Sequence, residues 1–143
     1  MKKMILISFM VFGLSVQAQN TEIQKTIEIF FEGFHSKDTA KIHSVCADKI
    51  ILQSIAEGTK GPRLSKESVK EFYISIATMP KDAIFQEKIL SYTIQVDGTM
   101  AHVWTPYEFY MDGKLSHKGV NAFTLFKENG IWKIIYLIDT RRK

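Results

Sequence analysis

The chain is 143 residues long, 45% hydrophobic and 24% charged, with 19 Lys and Arg against 15 Asp and Glu. That is one domain's length with enough apolar residues for a core, and a net charge of +4 is too weak a basic balance to point to nucleic acid. A single cysteine, Cys46, cannot form an intramolecular disulfide, so the fold must rest on hydrophobic burial.

Residues 1–18 read as a secretory signal peptide. Lys2 and Lys3 form a positive start, Met4 to Val16 is an apolar stretch broken only by Ser8, Gly13 and Ser15, and Val16-Gln17-Ala18 places small residues where a signal peptidase cuts. An N-terminal anchor is the competing reading. Removing the segment lowers the net charge to +2 and leaves a domain at 19–143, expected in the periplasm or outside the cell with no membrane attachment. No cysteine directly follows the apolar run, which argues against a lipoprotein.

Thr21 and Gln24 fit a capping box, and Ile23, Ile27, Phe30, Phe31 and Phe34 follow at helical spacing, predicting an amphipathic first helix that ends between Gly33 and Ser36. Asp38 caps a short second helix holding Ile42, Val45 and Cys46, where the thiol reads as buried and inert. Lys49 to Ile55 reads as a strand and Glu57 to Pro62 as a loop. Ser65 opens a third helix with Val69, Phe72, Tyr73, Ile76 and Ala77 inward, stopped by Pro80.

From Phe85 the period changes to two. Leu90, Tyr92, Ile94 and Val96 alternate up to Asp97-Gly98, and Asp112-Gly113 and Asn129-Gly130 follow between β-branched and aromatic runs. Asx-Gly supplies the positive-φ pair of a tight hairpin turn, so three in series predict a four-strand antiparallel meander. Pro106, inside the second of these strands, cannot donate to a ladder and predicts an edge or a bulge there. Helices before a long meander give an α+β fold, with helices on one face of a curved sheet and a pocket at its open end.

The long aromatic first helix, the SKESV sequence at 65–69 and the run GVNAFTLFKENGIWKI at 119–134 resemble the nuclear transport factor 2-like (NTF2-like) superfamily. Within it the chain looks most like small exported bacterial proteins grouped as SnoaL-like or lumazine-binding. The resemblance covers the whole mature chain and implies an NTF2-like cone, three helices on a strongly curved antiparallel sheet, and a homodimer formed through the open sheet face. The superfamily spans isomerases, dehydratases, cyclases, adaptors and binding proteins, so function has to be argued from the site.

Three groups of residues are candidates for that site. His117 and Asn121 share a strand face with Phe123 and Leu125, and Gly119 between them leaves room for a ligand or another backbone; an exposed His117 is the competing reading. Tyr92, His102, Trp104, Tyr107 and Glu108 form a second, aromatic-rich group in which Glu108 is a candidate base if desolvated. Strict alternation separates Trp104 and Glu108 from Tyr107, whereas a bulge at Pro106 joins Trp104 and Tyr107. Asp139 and Arg141 share a face, as an anion site or as an exposed terminal pair, with the latter the leading reading. Asp48 is the carboxylate available on the early strand for isomerase-like chemistry, and the phenylalanines of the first helix stand where such chemistry needs a donor hydroxyl. His35 and His43 straddle a helix break without acids to complete a metal set, and no phosphate loop or nucleophile elbow occurs, so no metal and no cofactor are expected. The expected function is binding of a small apolar or aromatic ligand in the cavity. The alternatives are acid–base catalysis in that cavity by His117, Glu108 or Asp48, and a non-catalytic dimeric interaction module.

Overall fold

Helix α1 (Lys2–Ser36) carries Ile23, Ile27, Phe30 and Phe31 on its buried stripe. This computed structural model describes the backbone from Lys2 onward and the side-chain surroundings from Val16 onward. The leader expected over residues 1–18 therefore lies largely outside the residues whose surroundings are described. The capping box at Thr21 does not form. The helix continues through it, Thr21 Oγ1 donates to Gln17 O at 3.0 Å, and Gln24 reaches Glu28 instead of a free backbone amide. α1 ends where Lys37 adopts a φ of 60° and Asp38 N donates to Gly33 O at 2.8 Å, a left-handed C-terminal cap. Asp38 then accepts from Lys41 N at 3.0 Å and starts α2 (Thr39–Val45) as expected.

The next strand, β1 (Cys46–Gly58), is longer than the sequence suggests. The segment read as a loop is a hairpin: Gly58 pairs with Gly61 and the chain returns as β2 (Gly61–Glu67). The third helix consequently starts later than expected, as α3 (Val69–Ala77) capped by Ser68, whose Oγ accepts from Glu71 N.

The meander follows, with its first limb split. β3 (Phe85–Ile89) and β4 (Thr93–Asp97) both pair with β5 (Met100–Met111), followed by β6 (Lys114–Glu128) and β7 (Ile131–Arg142). All three Asx-Gly turns form, but not identically. Asp112-Gly113 and Asn129-Gly130 are the two-residue loops of their hairpins with positive φ at both residues. At the first turn Asp97 is already paired with Met100, and the loop is Gly98-Thr99 with Gly98 at φ 58°, the glycine-first form.

The sheet runs β2-β1-β7-β6-β5-β3, with β4 also on β5, and it is mixed because β1 pairs with β7 in parallel. Three helices lie on this curved, unclosed sheet. Phe30 and Phe31 from α1 meet Phe123 of β6 edge-to-face at 5.9 and 6.0 Å, and Phe72 of α3 stacks on Phe30 at 6.3 Å.

Two irregularities set which side chains face the helices. Pro106 causes no bulge. Its register with β6 is unbroken, and its missing donor falls in the gap between β3 and β4, where its carbonyl accepts from Leu90 N at 2.9 Å. One bulge lies in β6, where Phe109 pairs with His117 but Tyr110 with Leu115, and one in β7, where Thr124 pairs with Tyr136 but Leu125 pairs with Ile134. The extra residue, Ile135, reverses the alternation, so Trp132 and Ile134 belong to the core while Leu137, Asp139 and Arg141 line a cavity on the same face.

Candidate functional site

A cavity of about 80 Å³ lies between α1, α3 and the inner face of the sheet. The helical repeat places Phe30 and Phe34 one above the other with Phe31 beside them, and Phe72 closes the wall from α3. Leu52 and Leu137 complete the apolar lining.

One end is polar. Glu87 reaches it from β3, Asn121 from β6, and Asp139 and Arg141 from β7 beyond the bulge. Asn121 is buried, and its Nδ2 donates to Glu87 Oε1 at 2.6 Å. Arg141 Nε donates to Asp139 Oδ2 at 2.7 Å, with the Asp139 side chain 12% exposed and that of Arg141 51%. Burial pushes the Glu87 carboxyl up to about 7, and the Asp139 charge adds to the rise, while the Asn121 hydrogen bond and Arg141 oppose it.

Two supports hold this end in place. His35 Nε2 accepts from the backbone N–H of Glu87 at 2.9 Å and pins β3 to α1. Burial keeps His35 below its ordinary pKa, consistent with a neutral acceptor ring. Tyr107, fully buried, donates to Thr140 O at 2.8 Å and lies 3.3 Å from Asp139 Oδ2, tying β5 to β7 across β6. The strand it crosses has Gly119 at that point, and a Cβ there would stand 1.7 Å from Thr140 O. The room expected beside Gly119 is thus filled by backbone.

No family model and no curated protein matches the sequence. Solved structures do match. An NTF2-like protein of unknown function from Shewanella baltica is 13% identical, covers 88% of this chain and 95% of its own, and superposes with a TM-score of 0.65. The β subunit of a candidate aromatic-ring-hydroxylating dioxygenase from Novosphingobium aromaticivorans is 13% identical, with coverage of 90% and 92% and a TM-score of 0.71. A dehydratase candidate of the NTF2-like family from Streptomyces avermitilis is 14% identical, with coverage of 89% and 98% and a TM-score of 0.67. The fold is NTF2-like. At these identities the likeness establishes architecture alone.

Within this NTF2-like cavity, only Asn121 of the six residues expected to bind ligand lines the wall, and Tyr107 sits directly behind it. His117 shares the inner face with Asn121 as expected, but it stacks on Phe109 at 4.8 Å and its Nδ1 faces Ser116 Oγ at 3.2 Å, with no hydrogen bond to a carboxylate among the described residues. Trp104 is 47% exposed on the outer face, and strict alternation puts Glu108 on that face too, where it accepts from Tyr110 Oη at 2.8 Å. Tyr92 is partly buried against the core and does not line the cavity. Asp48 is exposed near Cys46 and Lys133, away from the cavity. Cys46 is buried as expected, but at the junction of α2 and β1, and burial raises its thiol to about 11. Asp139 and Arg141 are paired, as their spacing allows, and both line the cavity, with Asp139 mostly buried and Arg141 half exposed.

Among the polar cavity residues missed by sequence reasoning, Gln53 and Glu67 included, Glu87 is the most consequential. Its signal was present: in Phe85-Gln86-Glu87-Lys88-Ile89 the alternation puts a carboxylate on the same face as two apolar residues. The phenylalanines were recognised as an apolar helix face, but not as the wall of the cavity.

Proposed function

We propose that this protein binds a small molecule with an apolar body in the cavity bounded by Phe30, Phe31, Phe34 and Phe72, with the polar part of the ligand at Glu87 and Asn121. The observation that carries the reading is the pairing of an apolar wall with a few convergent polar groups at one end, the usual make-up of a ligand site. The volume is small beside the ~300–1,000 Å³ of drug-sized sites, so the enclosed part of the ligand is small. Mass spectrometry of small molecules that co-purify with the native protein tests this. A compound retained by the wild type and lost from Phe72→Trp, which fills the cavity, supports it; a set of compounds identical in the two proteins refutes it.

A second reading, acid–base catalysis, is favoured by the Glu87 carboxyl, which lines the cavity, accepts from Asn121 Nδ2 at 2.6 Å and is pushed up to about 7 chiefly by burial. It replaces the three bases named from sequence, since His117 lacks an orienting carboxylate and Glu108 and Asp48 lie outside the cavity. Turnover that follows the ionisation of Glu87 and disappears in Glu87→Gln is its test.

Export is part of the proposal and rests on the first eighteen residues. Homodimer formation through the outer sheet face rests on the resemblance and on the exposure of Trp104 there. No helix among the described residues is long and apolar enough to cross a membrane.

A further inference from the structure

The charged groups lining the cavity do not balance. Glu67, Glu87 and Asp139 contribute three carboxylates and Arg141 the one cation. That cation is already taken. Its Nε is bonded to Asp139 at 2.7 Å, and Glu67 is close enough to act on it as well. Glu87 is left with a neutral partner, the Asn121 amide, which satisfies one oxygen and no charge. A carboxylate largely withdrawn from water with a neutral hydrogen-bond partner is costly to ionise, and burial, with the Asp139 charge adding to it, raises this group's pKa.

The apolar lining offers no counter-charge. Phe30, Phe31, Phe34 and Phe72 carry no charge, but aromatic faces attract a cation within about 6 Å of the ring. An ammonium group beside Glu87 would supply the missing counter-charge, while the apolar chain it carries would be buried against the phenylalanines. A neutral alcohol would gain only a hydrogen bond, and a carboxylate would meet three like charges around a guanidinium already committed.

We infer that the cavity is a site for a small organic cation, with the ammonium of a primary amine set against the Glu87 carboxylate and its apolar chain against the phenylalanines. This inference rests on the binding reading above and adds to it the ligand's charge class.

The test is a chemical-shift titration of the ¹⁵N-labelled protein, slightly above neutral pH, with three probes of one size: butylamine, butanol and butyrate. The expected result is saturable shifts at the amides of Asn121 and Leu137, with butylamine binding about tenfold more tightly than butanol and butyrate weakest. Glu87→Gln keeps the oxygen that accepts from Asn121 and removes the charge. It should weaken butylamine about tenfold and leave butanol unchanged. Butanol or butyrate binding as tightly as butylamine, or a butylamine affinity untouched by Glu87→Gln, overturns the cation assignment while leaving a binding cavity. No saturable shift with any of the three overturns the binding reading as well.

Discussion

Replacing Gly119 with alanine probes the contact on which the polar end of the cavity depends. The added Cβ would stand 1.7 Å from the Thr140 carbonyl oxygen, half the 3.4 Å at which ordinary van der Waals contact begins, and the atom it meets is backbone. β7 must therefore move away from β6. That movement breaks the 2.8 Å bond from Tyr107 Oη to Thr140 O and the 3.0 Å bond from Val120 N to Thr140 Oγ1. Overpacking costs about 1–3 kcal/mol. A buried hydroxyl left without its acceptor costs about 1–3 kcal/mol more. The expected loss is on the order of 2–6 kcal/mol, against ~1 kcal/mol for an average substitution. For a domain of this size that lowers the melting temperature by on the order of 10 °C. Urea denaturation followed by far-UV circular dichroism measures it, with Tyr107→Phe as the companion variant that loses the hydroxyl without a clash. Gly119→Ala should be clearly the worse of the two. A Gly119→Ala protein within about 0.5 kcal/mol of wild type, or milder than Tyr107→Phe, would refute the close approach of β7 to Gly119.

The remaining predictions concern titration and the outer face. The Glu87 carboxyl sits at about 7 in the folded protein against 4.5 in the open chain, so its stabilising proton is fully present below 4.5 and is lost as pH rises through 7. The difference is worth about 3 kcal/mol, and Glu87→Gln should recover about that much in denaturation measured above neutrality while leaving acid stability unchanged. His35 works in the opposite direction. Held below 6.5 by burial, it contributes stability that is present above 6.5 and lost as pH falls through its lowered folded value, and His35→Gln should flatten that acid limb of the stability profile. His117→Ala should leave ligand affinity unchanged in the amine titration, because the ring packs on Phe109 and does not line the cavity. Trp104→Ser should shift the stability of the single chain by no more than ~0.5 kcal/mol but weaken self-association in analytical ultracentrifugation; a monomeric wild type would remove the outer-face dimer.

Local chemistry is what could be read from the sequence. The Asp38 cap, the apolar stripe of α1 and the three Asx-Gly hairpins depend on neighbours within a few residues, and all form, with only the first hairpin turning one residue later than expected, at Gly98-Thr99. The capping box at Thr21 failed because a cap signal works only where the helix has an end, and here the helix already runs through it. β2 was missed because Gly61-Pro62-Arg63 has turn composition, while its strand state comes from pairing with β1. The site was harder still. Strict alternation handled Trp104, Tyr107 and Glu108, but Asp139 and Arg141 owe their inward position to a one-residue bulge at Ile135 that no turn residue announces. Glu87 gains its importance from groups on three other elements, His35, Asn121 and Asp139, and such convergence belongs to tertiary structure.

The parallel pairing of β1 with β7 has a consequence for how the molecule folds. The strand farthest along the chain, β7, stands in the middle of the sheet, between β1 and β6. Until it arrives, the β1–β2 hairpin has no partner along the edge that β7 will occupy, and the cavity lacks Leu137, Asp139 and Arg141. Without β7 the chain can form its helices and the β1–β2 and β5–β6 hairpins but cannot unite them. Completion of the core and completion of the cavity wall therefore coincide, and contact order predicts that the slow step of folding is the long-range closure that joins β1 to β7.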